Sequence, residues 1–530
     1  MDVQCPFFLN APFKKEHKFV DVQGLDVCVE VMFESNLSIA LPRELVRASR
    51  RRAVDLRDAL QQKETRTQPL DENIKVYNEM YDFLCNHEAP SFRPSRTKYR
   101  LPFASVPINL HLQTFQANNS SWYFVTCGAI AAIPLRFESG GLSRLRETLN
   151  SKFESTSRLQ NAQLLIDNLA QRISAHWHSG VTSEIKQLFD RIQTIPNVSL
   201  LYSSQLETLK KTKITDRKEA LVVLDALKEL VRTISQEESM YLALQRPPNA
   251  QLYFHIQLRY DVVLSQAITV IATCLLANVE NSRNEQLVNW KPFVSFFGFL
   301  SYHKNEKGMI EDMQEIWSVF HDRVRFCFDS TTNIDWQSTC VDVTIAVPDE
   351  VIAKLPYERG QWFRVRTFYW NLSVNKSEVS VPLEKKINLE ALSATTKFVE
   401  LNNLKPGPLL EDLRKTVEKS PFNANLNIFS KVQALTRALK GSCVLSCQSG
   451  KDRTAMAVTF DEAKLLQEHF TVSQDQFNKI VDSLRRDGVR RENCRKNVGK
   501  PMYACSSHRV QSMPKEFRPP VDTYIEDLEI

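Results

Sequence analysis

Cys447 and Arg453 close the segment Cys447-Gln448-Ser449-Gly450-Lys451-Asp452-Arg453, the spacing of a CX5R loop. A thiolate is a strong nucleophile, and a guanidinium is a planar fork matched to two oxygens of one phosphate. Together they can hold a phosphate monoester and attack its phosphorus. With eleven cysteines in the chain, one such spacing is expected by chance, so the flanking residues must carry the reading. They do. The apolar run Cys443-Val444-Leu445 reads as a short strand, and Thr454 opens a helix whose Met456, Phe460, Ala463 and Leu466 share one face. A strand, a loop containing Gly450 and a helix start aim backbone N–H groups and the positive end of a helix dipole at one point, where an anion belongs.

Each residue of the loop then has an expected role. Cys447 is the nucleophile, held as a thiolate by the helix N-terminus and Arg453, and it forms a phosphocysteine intermediate. Arg453 grips two non-bridging oxygens. Gln448, Ser449 and Gly450 line the substrate, Lys451 contacts a second phosphate, and the Thr454 hydroxyl donates to the sulfur. Asp452 is the nearest group able to protonate the leaving alkoxide, although an acidic residue at a helix start also suits the dipole. Asp349, in Val347-Pro348-Asp349, is a weaker candidate for the acid. Cys443 is read as a core cysteine of the strand rather than the partner of Cys447 in a regulatory disulfide.

These elements sit in a chain of 530 residues, 43% hydrophobic, long enough to bury more than one core. Only 13 glycines favour a helix-rich fold over a turn-rich all-β one. The cysteines form no CxxC pair and the ten histidines no ligand spacing, so neither a metal, a cofactor nor a disulfide framework is expected. His176 and His178 read as ordinary surface or interface residues. No secretory signal opens the sequence, and the apolar stretch Val262 to Ala277 reads as a buried core helix. A reduced cytoplasmic compartment follows.

Glu44 to Gln61 is a basic helical pattern, and Pro90 to Pro107 reads as loop with short extended pieces. From Leu142, apolar residues recur every three or four positions through Val231, a run of amphipathic helices broken at Pro247-Pro248. Near Cys340 the pattern changes to period two: Val341, Val343, Ile345 and Val347, then Phe363, Val365 and Thr367. Helices through Leu410–Val417 and Ile428–Leu439 follow. The expectation is an α/β protein, with a mainly helical scaffold over 1–335 and a cysteine-phosphatase-like α/β catalytic domain over 336–530.

The octapeptide Cys447–Thr454 resembles the catalytic loop of the inositol polyphosphate 4-phosphatases and of related bacterial inositol-phosphate phosphatase effectors. The similarity continues through Arg485-Arg-Asp-Gly-Val-Arg-Arg-Glu-Asn493, Lys496-Asn497, Tyr503-Ala504 and Pro514-Lys-Glu-Phe-Arg-Pro-Pro520, and covers roughly residues 365 to 527. A weaker likeness runs through Val106-Pro-Ile-Asn-Leu-His111, Thr126–Ala132 and Gly140-Gly-Leu142. The resemblance implies removal of the 4-phosphate from phosphatidylinositol 3,4-bisphosphate or from soluble inositol polyphosphates, without a metal. Two departures are visible. Gln448 stands where the family usually has lysine, which puts one phosphate contact and the substrate preference in doubt. Residues 1 to 40 are too few for the family's N-terminal C2 domain, so the chain reads as a short paralogue or an incomplete gene product, with membrane targeting supplied from elsewhere.

Arg485 to Lys500 holds seven basic residues against two acidic ones, a density suited to an anionic membrane or a polyphosphate headgroup. It also fits a solvated charged face. Peripheral contact at an endosomal or plasma membrane is expected, and nucleic acid is disfavoured because no binding module accompanies the patch. Two other readings stand beside the lipid phosphatase: a dual-specificity protein phosphatase, and a catalytically silent phosphoinositide-binding scaffold.

Overall fold

A computed structural model describes residues 12–62, 67–86, 100–135, 140–152, 154–178, 180–195, 203–244, 246–281, 290–302, 305–337, 340–374, 381–420, 425–505, 510–511 and 513–525. The fold is mixed α/β and mostly helical. Its strands are β1 (Phe13–His17), β2 (Cys28–Glu34), β3 (His111–Ala117), β4 (Ser120–Gly128), β5 (Phe293–Gly298), β6 (Val324–Asp329), β7 (Asn333–Trp336), β8 (Val341–Ala346), β9 (Arg366–Asn371), β10 (Ser442–Cys447), β11 (Tyr503–Ala504) and β12 (Tyr524–Ile525).

Seven of them form one sheet in the order β1-β2-β3-β4-β10-β5-β9. The first four pair antiparallel, and β4, β10, β5 and β9 run parallel. Parallel strands are covered on both faces, so β5 reads Phe-Val-Ser-Phe-Phe-Gly without alternation and is buried throughout. Helices Asn305–Arg323 and Val381–Leu401 pack on β9, and helices Leu426–Ala438 and Asp452–His469 pack on β10. One apolar core runs through Phe297, Phe299, Trp370, Phe429, Leu445, Met456 and Phe517. A second sheet, β6-β8-β7, contains the expected strand Val341–Ala346.

The chain falls into two compact units, residues 1–51, 76–142 and 259–530 in one and 52–75 and 143–258 in the other. The sheet of the first joins strands from both sides of the boundary expected near residue 335, because β10 pairs with β4 on one flank and β5 on the other. The second unit is helical and has its own core of Ile166, Ile173, Ile185, Phe189, Leu224 and Val231, matching the three-and-four spacing of the sequence. Helix Pro247–Asn281 contains a stretch long and apolar enough to cross a membrane, but 94% of that stretch is buried inside the protein. Among its polar residues, Gln266 donates to the carbonyls of Ala104 (2.6 Å) and Ala131 (3.1 Å), so burial leaves its amide satisfied.

Candidate active site

β10 brings Ser446 and Cys447 level with Cys127 and Gly128 of β4. It ends at Cys447, and the chain turns through 448–451 into the helix Asp452–His469. The turn depends on Gly450, whose φ is +65°; a Cβ there would lie 2.6 Å from the backbone carbon of Cys127. Two loop carbonyls are held from the β4 side. The Nδ2 group of Asn109, itself at φ +48°, donates to Ser449 at 2.6 Å, and the Ala129 N–H donates to Gln448 at 3.4 Å.

Cys447, Lys451, Arg453 and Thr454 are all buried, at 2%, 3%, 7% and 0% exposure, while Gln448, Ser449 and Asp452 are half-buried. Arg453 is the centre of the arrangement. Its Nη1 donates to the Phe299 carbonyl at 2.5 Å and to Glu306 Oε2 at 3.0 Å, and its Nη2 donates to Glu306 Oε1 at 2.5 Å. A guanidinium has five N–H donors. Both Nη1 protons and one Nη2 proton are thus engaged, and the Nε–H with the second Nη2 proton, which form one edge of the plane, have no partner among the described residues.

Glu306 is fixed in turn by Ser301, whose N–H and hydroxyl donate to Oε2 at 2.6 and 2.8 Å. Burial pushes the Glu306 carboxyl up, but the Arg453 charge and these donors outweigh it and hold the group below its ordinary value. Burial works against the Arg453 charge, and Glu306 more than compensates, with Cys447 and Asp452 adding to the effect; the guanidinium is held above its ordinary value. Phe299 and Glu306 follow β5, the strand parallel to β10, so neighbouring strand ends deliver both halves of the pair. That placement obeys the rule that open parallel sheets build sites beyond the carboxyl ends of their strands.

Three expectations change. The Thr454 hydroxyl donates to the Lys451 carbonyl at 2.8 Å, closing the first helical turn instead of reaching the sulfur. Asp349 opens the short helix Asp349–Ile352 after β8 of the three-stranded sheet, and its carboxylate is paired with Arg359. Two arginines of the basic run are spent inside the protein. Arg485, 3% exposed, braces the site helix by donating to Thr459 Oγ1 (3.0 Å) and the Met456 carbonyl (3.1 Å), and also donates to the carbonyls of Glu516 (2.6 Å) and Arg518 (2.8 Å). Arg490, 1% exposed, donates to Gln113 Oε1 (2.5 Å) and Thr126 Oγ1 (2.7 Å). Burial pulls both guanidinium values down to about 10. Arg486 pairs with Asp482, Arg495 with Glu492, and Arg491 donates to the carbonyls of Arg486 and Pro501.

Asp452 Oδ1 accepts from the Ala504 N–H at 3.1 Å, tying the helix start to β11. The Lys451 ammonium meets no hydrogen-bond or ion-pair partner among the described residues, although the Lys451 carbonyl accepts from Thr454 and from the Ala455 N–H. Cys443 and Cys447 are both free thiols, and burial pushes the Cys443 thiol well up. Sequence reasoning missed Glu306 and Asn109. Glu306 has no local signal, whereas Asn109 lies inside the weaker likeness Val106–His111.

A family model described as the INPP4A C-terminal domain matches residues 8–201 and 197–517. The chain is also 26% identical over 338 residues to the type II inositol 3,4-bisphosphate 4-phosphatase of Pongo abelii and to the inositol polyphosphate 4-phosphatase type II of Homo sapiens. A Rattus norvegicus type II inositol 3,4-bisphosphate 4-phosphatase aligns over 339 residues at the same identity. Each alignment covers 57% of this chain and 36% of the relative, so the matched stretch spans little more than a third of those proteins. The family match takes in the strands from β1 to β11 as well as the Cys447 loop, and the chain belongs to the INPP4A C-terminal domain family.

Proposed function

We propose that this chain is a cysteine-dependent phosphatase that hydrolyses the 4-phosphate of an inositol ring, with phosphatidylinositol 3,4-bisphosphate as its substrate. The observation that carries the reading is the open edge of the Arg453 guanidinium. Glu306 and the Phe299 carbonyl occupy one side, and the Nε–H with one Nη2–H is left as a fork of the spacing that two phosphate oxygens require. The unpartnered ammonium of buried Lys451 suits a second phosphate on the ring. The inositol ring and the ring position come from the family and from the names of the relatives.

The chemistry has two displacements. The Cys447 sulfur attacks phosphorus as the P–O bond to the ring breaks, and Asp452 gives its proton to the departing alkoxide. A water molecule then attacks phosphorus, the S–P bond breaks, inorganic phosphate leaves and Asp452 takes the proton of the water. Charge developing on the phosphoryl oxygens is met by the Arg453 fork and by the first N–H groups of the helix Asp452–His469. A lipid substrate requires contact with an anionic membrane. Arg485 and Arg490 contribute little to that contact, being buried.

Phosphate release from a panel of phosphoinositides in vesicles, soluble inositol polyphosphates and phosphotyrosine peptides tests the reading. Turnover of phosphatidylinositol 3,4-bisphosphate to the 3-phosphate is expected. Equal turnover of the peptides would overturn the lipid preference, and release of the 3-phosphate instead would overturn the ring position.

A further inference from the structure

β9 is the last strand of the seven-stranded sheet, and its outer edge faces a groove of about 680 Å³. The groove is flanked by the helices Asn305–Arg323 and Val381–Leu401, and Thr367 to Tyr369 of β9 form part of its wall. It lies away from Cys447: Thr367 is level with Val294 and hence with Ser442, at the start of β10.

Strand geometry shows which backbone groups face this groove. The N–H groups of Arg366 and Leu372 donate inward, to Pro292 (3.4 Å) and Gly298 (2.9 Å) beside β5. In a parallel pair, successive residues point their N–H and C=O groups alternately to one neighbour and the other. Val365, Thr367, Tyr369 and Asn371 therefore present theirs outward. At the two ends, side chains stand in for a missing strand. Asn388 accepts from the Asn371 N–H at 3.0 Å and donates to its carbonyl at 2.9 Å, the two bonds a neighbouring strand residue would make. His321 Nδ1 lies 3.3 Å from the Val365 carbonyl. Between these plugs, the backbone N–H and C=O groups of Thr367 and Tyr369 have no partner among the described residues.

We propose that this open window of β9 binds an extended acidic peptide segment of another protein, which joins the sheet as an eighth strand. An uncovered strand edge is a template for pairing, and main-chain bonds to it are a recurring mode of peptide recognition. The chemistry of the groove selects the occupant. Arg364 and Lys291 are exposed at one end, and neither meets a carboxylate among the described residues; Arg364 donates only to the His321 carbonyl, at 2.7 Å. Arg366 and Lys397 add two more cations against Asp322 and Glu390. Leu401, 51% exposed, offers apolar contact to alternate side chains.

The probe is a fluorescein-labelled, alternating apolar and acidic peptide, acetyl-Glu-Val-Asp-Val-Glu-amide, titrated onto the 530-residue chain while amide hydrogen exchange is followed at Thr367 and Tyr369. Both amides are expected to exchange fast in the free protein and to become protected with the peptide. N-methylation of alternate peptide amides, which removes the pairing donors, is expected to weaken binding about tenfold or more. Thr367→Pro deletes an outward donor without touching the β5 ladder, and Arg364→Glu reverses the charge at the mouth; each is expected to weaken the peptide while phosphatase activity is retained. Protection of the two amides in the free protein would overturn the proposal, as would absence of binding at millimolar peptide or binding indifferent to N-methylation. Inositol hexakisphosphate filling the groove without protecting either amide would assign it to small anions and refute it too.

Discussion

Glu306 holds Arg453 by one side of its guanidinium and leaves the adjoining edge open, so a buried cation is neutralised and yet keeps a fork of two donors for a ligand. The pair is 7–8% exposed at its side chains, where removing one partner strands an uncompensated charge. Glu306→Ala is therefore expected to destabilise the fold by about 3–5 kcal/mol, read as a drop in denaturant midpoint. Glu306→Gln keeps the shape and one acceptor. It is expected to fold, with kcat lowered more than KM is raised, because a loosened Arg453 loses contacts that strengthen in the transition state.

The loop backbone makes its own demand. Gly450→Ala must place a Cβ 2.6 Å from the Cys127 backbone at a φ of +65°. The left-handed conformation alone costs roughly 1–2 kcal/mol in a non-glycine residue, and the contact adds to it. Loss of activity with a lowered melting temperature is expected; an active, fully stable variant would contradict the loop geometry. Asn109→Ala removes the 2.6 Å bond to the Ser449 carbonyl and is expected to cost about 1 kcal/mol of stability together with a fall in kcat/KM.

The strand, loop and helix around Cys447 were legible because their signal is local. Cys447, Gly450 and Arg453 lie in seven consecutive residues, and the strand before them and the helix after them carry plain apolar patterns. The sheet around them was not. β3 is His-Leu-Gln-Thr-Phe-Gln-Ala, buried at nearly every position, and no alternation survives when polar side chains such as Gln113 are buried too. Gln113 lies inside because it donates to Glu30 (2.9 Å) and Glu462 (2.6 Å) and accepts from Arg490, a network assembled from distant segments. The same network takes one charge out of the basic run: Arg490 reads as surface charge in sequence and is a buried brace in the fold. β9 begins at Arg366, later than the alternation from Phe363 suggests, because Phe363 bridges to Phe326 of the other sheet. Glu306 was invisible for the simplest reason, that it meets Arg453 across 147 residues of chain.

Asp452 separates by leaving group. If it protonates the departing alkoxide, Asp452→Asn slows an inositol phosphate far more than an aryl phosphate whose phenolate needs no proton. A uniform loss on both substrates would instead reflect its bond to the Ala504 N–H.

Glu384 gives stability a pH dependence. Burial raises its carboxyl to about 7, opposed only by the Ser373 N–H at 2.6 Å. Because the folded value lies above the ordinary glutamate value of 4.5 that the unfolded chain shows, the folded protein binds the extra proton between them. Its contribution to stability is thus fully present below about pH 4.5 and is lost as pH rises through about 7. Melting temperatures across that window are expected to fall less in Glu384→Gln than in the parent chain, and parallel curves would contradict the assignment.

The central claim concerns the sulfur of Cys447 and the guanidinium of Arg453 acting on one phosphate. The direct measurement is rapid-quench mass spectrometry of the parent chain and of Cys447→Ser during turnover of phosphatidylinositol 3,4-bisphosphate vesicles. The account predicts a phosphoryl group on Cys447 in the parent, and neither adduct nor released phosphate in the serine variant. Phosphate release that continues after Cys447→Ser would contradict it.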